Sequence, residues 1–267
     1  MKKHITTILI SLSFVVAAEG QSSTDNYVKV YKALRPTKHD LSTLNHKDSV
    51  VEAITYYDRL GREIQSVSRR SSPLANDIVS FSMYDDFGKK TISYLPYIAN
   101  QSTGAIVSNP LPDQIAFYIN LFGQANGEAA LSESVLEHSE LGRLLIQGAP
   151  GDSWQASGTH TIKKDYLTNA GTDVYLIKYN SVDGSVSVRD VNNVVVYYTA
   201  NSLSCTKTTD EETNDVLEYV DKEGRTVCKK VKAPGGLYAS TYYVYDDLGN
   251  LAVVVPPESV NRIVNGN

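Results

Sequence analysis

The chain has 267 residues, a formal net charge of −5, 42% hydrophobic and 21% charged residues. This is globular composition with length enough for a large core, and it excludes a disulfide-dense miniprotein, a disordered tail and a membrane bundle; the acidic balance argues against a nucleic-acid partner. Of 24 aromatic residues 18 are tyrosine, a side chain suited to a half-buried pleated surface with its hydroxyl in water, which points to sheets.

The N-terminus reads as a secretory signal. Met1 to His4 are basic, Ile5 to Ala18 form an apolar run of 14, and Ala18-Glu19-Gly20 offers small residues before a cut ahead of Gln21. Residues 1–20 are thus expected to be removed, leaving 21–267 as one exported β domain in the periplasm, at the cell surface or secreted. No later stretch is long and apolar enough to predict a transmembrane segment. Without the leader the chain carries 23 basic and 29 acidic residues.

In chain order, the pattern predicts strands at 27–34, 50–57, 63–68, 77–84 and 90–95, loops at 69–76 and 98–112, and a short helix near 112–122. The helix rests on Ile115, Tyr118, Ile119 and Phe122 at i, i+3, i+4 and i+7 ahead of Gly123. Loops at 123–134 and 148–160 flank strands at 135–138 and 144–147; further strands follow at 161–167, 174–179, 194–199, 216–220, 226–231, 240–245 and 251–255.

One turn is written five times between these strands. Tyr57-Asp58-Arg59-Leu60-Gly61-Arg62 recurs as Tyr84-Asp85-Asp86-Phe87-Gly88-Lys89 and Tyr245-Asp246-Asp247-Leu248-Gly249-Asn250, with weaker copies at Ser139 to Gly142-Arg143 and Asp221 to Gly224-Arg225. The glycines are 27, 54, 82 and 25 residues apart, as in an array with an insertion or a decayed copy; Tyr179 to Gly184 is one residue too long for the pattern. Asp at the first position of a type I turn accepts a backbone N–H, and Gly at the fourth takes the positive φ of a following G1 bulge. Asp-x-x-Gly is therefore a hairpin tip. Asp58 should face Arg62, Asp85 face Lys89, and Asp221 face Arg225, each pair contributing only about 0.2–1 kcal/mol. The final strand, 251–255, is apolar and would present an open edge unless covered.

An exported chain with these repeats resembles the RHS/YD-repeat family. Stretches such as Ile54-Thr55-Tyr56-Tyr57-Asp58, Gln65-Ser66-Val67-Ser68, Tyr94-Leu95-Pro96-Tyr97, Gln147-Gly148-Ala149-Pro150-Gly151 and Tyr243-Val244-Tyr245-Asp246-Asp247-Leu248-Gly249-Asn250-Leu251 are similar to the N-terminal region of Bacteroidota-type members. The resemblance spans nearly all of 26–257. It implies tandem antiparallel hairpins wound into a β-sheet shell or solenoid, in much longer chains that can end in a toxic domain. On that reading the chain is the leading piece of such a protein, truncated or surviving as a remnant, and its partners are the rest of the shell or neighbouring β repeats.

Chemical sites are sparse. Gly151-Asp152-Ser153 is similar to the nucleophile block of GDS-type esterases, but none of the five histidines has Asp three positions before it, so a secreted esterase ranks last. No metal or cofactor is expected, since His138 and His160 lack ligand spacing and the pairs Asp85-Asp86 and Asp246-Asp247 read as solvated turn acids. Trp154 and His160 lie in the 148–160 loop and, with the tyrosine-rich sheet faces, carry the alternative reading, an extracellular carbohydrate-binding module for surface glycans. Cys205 and Cys228 would flank one central strand roughly 9.5 Å apart, beyond bridging distance, and read as free, buried thiols.

Overall fold

A computed structural model describes residues 26–265 apart from 37, 39 and 44–48. The expected signal at 1–20 lies outside the described residues. The fold is mainly β with antiparallel pairing. The chain divides into two compact units, one running to Glu133 and taking in Pro150–Asp152, the other comprising Ser134–Ala149 and the chain from Ser153 onward.

The first unit holds β1 (Asn26–Ala33), β2 (Val50–Tyr57), β3 (Glu63–Arg69), β4 (Ile78–Phe81), β5 (Ile92–Tyr94) and β6 (Tyr97–Ile98), with helices α1 (Pro110–Phe122) and α2 (Gln124–Glu128). Its sheet runs β1-β2-β3-β4-β6. Alternation along each strand sends one row inward, and the register aligns those rows: Ile54 faces Val67, Val67 faces Val79, and Val79 faces Tyr97. Leu111, Phe117 and Tyr118 of α1 pack against this core. The helix starts two residues before the predicted point, with Pro at its first turn where the missing N–H costs nothing, and the Gly123 N–H closes it on Ile119. Its buried face departs from the expected stripe. Gln114 is buried and donates to Ala130 O at 2.7 Å, whereas Phe122 is exposed and stacks on Tyr118.

The predicted strand 77–84 shortens to β4. Asp77 is fully buried and serves two loops instead: its carboxylate accepts the N–H of Arg70 at 2.9 Å and of Gly104 at 2.8 Å. The α2 turn was expected as loop. Gly127 makes it possible, because a Cβ there would collide with the backbone of Ile119.

Tyr97 is buried and, among the described residues, its hydroxyl has no hydrogen-bond partner. Burial, with Asp113 nearby, pushes that phenol up to about 12. Because an unsatisfied buried hydroxyl costs about 1–3 kcal/mol, Tyr97→Phe is expected to leave stability unchanged or raise it by about 1 kcal/mol in denaturant unfolding. A loss above about 1 kcal/mol would show that the hydroxyl is in fact satisfied.

Strand β7 (Leu131–Leu136) carries the chain onward, Leu131 to Glu133 pairing with β5 and Ser134 to Leu136 with β8 (Leu144–Gln147). The second unit continues with β9 (Ile162–Thr168), β10 (Lys178–Tyr179), β11 (Val186–Ser187), β12 (Ser204–Thr209), β13 (Asp215–Val220), β14 (Thr226–Lys232), β15 (Tyr238–Tyr245), β16 (Leu251–Val255) and helix α3 (Pro257–Asn265). Its strands follow the order β16-β15-β14-β13-β12-β9-β8-β7, and among the described residues β16 pairs only with β15. One buried row crosses the sheet from Cys205 to Tyr219, Cys228, Tyr242 and Val255. Both cysteines are free and buried on either side of Tyr219, as the meander reading expects. Burial pushes the Cys228 thiol up to about 11.

The predicted strands 174–179 and 194–199 are a correction: only the two-residue ribbon β10–β11 and the bridges Tyr175 to Tyr197 and Arg189 to Val195 form there. Val174, Ile177 and Val188 instead turn inward beneath the sheet. Helix α3 was also unforeseen. Pro257 occupies its first position, and Val260, Ile263 and Val264 join the core.

Candidate functional site

The recurrent turn is built as its chemistry dictates. At the first copy the Asp58 carboxylate accepts the N–H groups of Leu60 and Arg62 through one oxygen, both at 2.9 Å, and the Arg62 Nε at 2.7 Å through the other. The Gly61 N–H donates to Asp58 O, and Gly61 holds φ +78°. Asp221 repeats the arrangement with Glu223 and with Arg225, whose Nε lies 2.8 Å away. Asp85 and Asp246 accept the same pairs of N–H groups, but Lys89 meets Asp85 through its backbone and Asn250 replaces the guanidinium with its amide. The fifth copy moves the carboxylate. Ser139 caps the turn by accepting Leu141 N–H, while Glu137 takes Arg143 in a two-pronged pair at 2.9 and 2.8 Å. The Arg62 N–H holds Asp58 below the usual carboxylate range, and the Arg143 guanidinium brings Glu137 to about 2.

Each arginine has a second task that its own turn does not reveal. The Arg62 guanidinium lies 4.3 Å from the Tyr84 ring centre, and the Tyr84 hydroxyl donates to Glu63 O at 2.8 Å. Arg225 lies 5.0 Å from the Tyr245 ring, whose hydroxyl donates to Thr226 O at 2.9 Å. Arg143 lies 4.1 Å from the Tyr166 ring, whose hydroxyl donates to Leu144 O at 3.1 Å. In all three the hydroxyl reaches the carbonyl of the residue just after the arginine. The carboxylate fixes the guanidinium beside the ring, so one cation both closes its own hairpin and seats a later tyrosine.

The letters of the motif therefore divide their labour. Tyr84 and Tyr245 receive the arginine of the preceding copy, while Asp85 and Asp246 hold their own turns. Glycine serves twice: besides its positive φ, a Cβ on Gly88 would lie 3.1 Å from Arg62 Nη1, and one on Gly249 would lie 3.5 Å from Arg225 Nη1. Tyr57 faces Asn26 on β1 and Glu63 on β3. Tyr166, within β9, lies outside any copy of the motif, so nothing in its local sequence marks it as a clamp residue. A shallow, open groove of about 520 Å³ runs past it, lined by Arg143, Tyr166, Thr168, Ser204 and Thr206 among others.

The turn is also used where no glycine marks it. Asp190 accepts the N–H groups of Asn192 and Val194 with Asn193 at φ +63°, and Asp210 those of Glu212 and Asn214 with Thr213 at φ +67°. The over-long candidate after Tyr179 closes on Asn180, which accepts the Gly184 N–H.

Trp154 and His160, named separately from sequence, come together: their rings stack at 5.1 Å with an interplanar angle of 29°. The His160 Nδ1 lies 3.0 Å from the Thr159 hydroxyl, and the backbone carbonyl of Ser153 accepts the N–H groups of Thr159 and His160. Among the described residues no three His, Cys, Asp or Glu side chains converge as a metal site would require.

A family model described as "Domain of unknown function (DUF6443)" matches residues 29–168, slightly more than half of the chain. No curated protein matches the sequence.

Proposed function

We propose a structural, non-enzymatic role for this chain, which belongs to the DUF6443 family: it is a module of an exported RHS/YD-repeat-like protein, building part of a β shell from tandem hairpins. The observation that carries this reading is the threefold clamp, in which an arginine fixed by its own turn seats a tyrosine some twenty residues later. A device repeated for packing one hairpin on another serves assembly. A hydrolase gains nothing from it, and His160 engages Trp154 and Thr159 instead. The partners on this reading are neighbouring β repeats, with β16 as the strand whose outer edge they would meet. The toxin-delivery association of the RHS/YD family comes only with the resemblance.

The clamp is tested by a double-mutant cycle on Arg225→Ala and Tyr245→Leu, read by urea unfolding. A coupling of about 0.5–1 kcal/mol is expected, because each change removes one side of the guanidinium–ring contact. Strict additivity would remove the observation on which the reading rests. Export is tested by fractionating the producing cell and reading the mature N-terminus by mass spectrometry. Gln21 in a non-cytoplasmic fraction is expected, and a cytoplasmic chain that retains Met1 would overturn it.

A further inference from the structure

We propose that the Trp154–His160 stack is a binding platform for a neutral pyranose ring of a glycan, independent of the hairpin clamps. Trp154 is 40% exposed although it is the largest apolar surface available for burial in its loop. The loop holds it there rigidly. The Ala149 N–H donates to Trp154 O at 2.7 Å, the Gln155 side-chain amide to Ala149 O at 2.9 Å, and the Gly158 N–H to Gln155 O at 2.7 Å.

Two glycines make this closure possible. A Cβ on Gly148 would lie 2.5 Å from the Ala156 nitrogen, and one on Gly158 would collide with the Ser153 carbonyl. The loop is thus closed by backbone contact at both ends, so an aromatic pair displayed on it loses little freedom when a ligand arrives. A segment this constrained, with an indole left in solvent, is arranged for contact rather than for packing.

The surroundings choose the ligand. From Ser153 to His160 the sequence is Ser-Trp-Gln-Ala-Ser-Gly-Thr-His, with no Asp, Glu, Lys or Arg. Hydroxyl groups offer donors and acceptors beside an aromatic face, and the stretch itself brings no charge, although Asp152 precedes it in the short helical turn Asp152–Trp154. A pyranose presents that combination in reverse, with C–H groups on one face and hydroxyls around its edge. An indole with an apolar body and polar neighbours suits it.

Trp154 is the one tryptophan of the chain, so its fluorescence reports on this site alone. The full chain is titrated with a panel of neutral oligosaccharides, hexose and N-acetylhexosamine polymers included, alongside uronic-acid and sulfated sugars. A saturable change in emission with at least one neutral sugar is expected. By calorimetry, Trp154→Ala should weaken that binding at least roughly tenfold, as loss of an aromatic anchor does, while Trp154→Phe retains most of it and both keep the wild-type melting midpoint. Silence across the neutral panel, binding confined to charged sugars, or binding that survives Trp154→Ala would each overturn the proposal.

Discussion

Asp77→Ala is expected to destabilise the chain by about 2–4 kcal/mol, because it leaves the buried Gly104 N–H and the part-buried Arg70 N–H without their charged acceptor. The carboxylate is fully buried, with one oxygen on Arg70 N–H and the other on Gly104 N–H. Both donors sit in left-handed backbone, at φ +51° and +78°, so the aspartate stabilises two conformations that the chain would otherwise leave. A side chain at Gly104 would be strained in the same place: φ is +78°, a Cβ would lie 2.5 Å from Ile54 Cδ1, and the Gly104 carbonyl accepts the buried Tyr56 hydroxyl at 2.7 Å. Asp77→Asn keeps one acceptor and turns a donor toward the other N–H, so an intermediate loss of about 1.5–3 kcal/mol is expected. Urea unfolding with an unchanged slope measures both. A loss below about 1 kcal/mol for the alanine variant would mean that water reaches the two N–H groups.

Asn169→Ala should cost about 2–4 kcal/mol in the second unit. Asn169 is buried, its Oδ1 accepts the Leu203 N–H at 2.8 Å, and its Nδ2 donates to Thr199 O at 2.8 Å and to Ala170 O at 3.1 Å. It replaces, for the residues between β9 and β12, the ladder bonds that regular strands would supply. Asn169→Asp puts a charge against those carbonyls and should be at least as damaging as alanine. Hydrogen exchange of the Leu203 amide reports the same event locally. Unaltered protection in Asn169→Ala would contradict this role.

The hairpins were legible because their chemistry is local. Asp58 and Gly61 fix a turn within four residues, and β2, β8 and β16 begin and end where the alternation and those turns place them. The same turn escaped notice at Asp190 and Asp210, where Asn193 and Thr213 accept a positive φ without the glycine that advertises it. What stayed hidden acts across distance. Asp77 binds a residue 27 positions away, Asn169 one 34 positions away, and Tyr166 meets an arginine whose only visible partner was its own turn. Trp154 and His160 were both singled out, but only folding shows that their rings touch.

The clamps also bear on how the chain reaches this state. The arginine and tyrosine of a clamp are 22, 23 and 20 residues apart, so each contact closes a short loop and awaits nothing downstream. Short-range closure carries a small entropic cost and favours fast folding. A polypeptide emerging N-terminus first would find, at each new tyrosine, the receiving guanidinium already fixed by a completed turn, so assembly can proceed in the order of emergence.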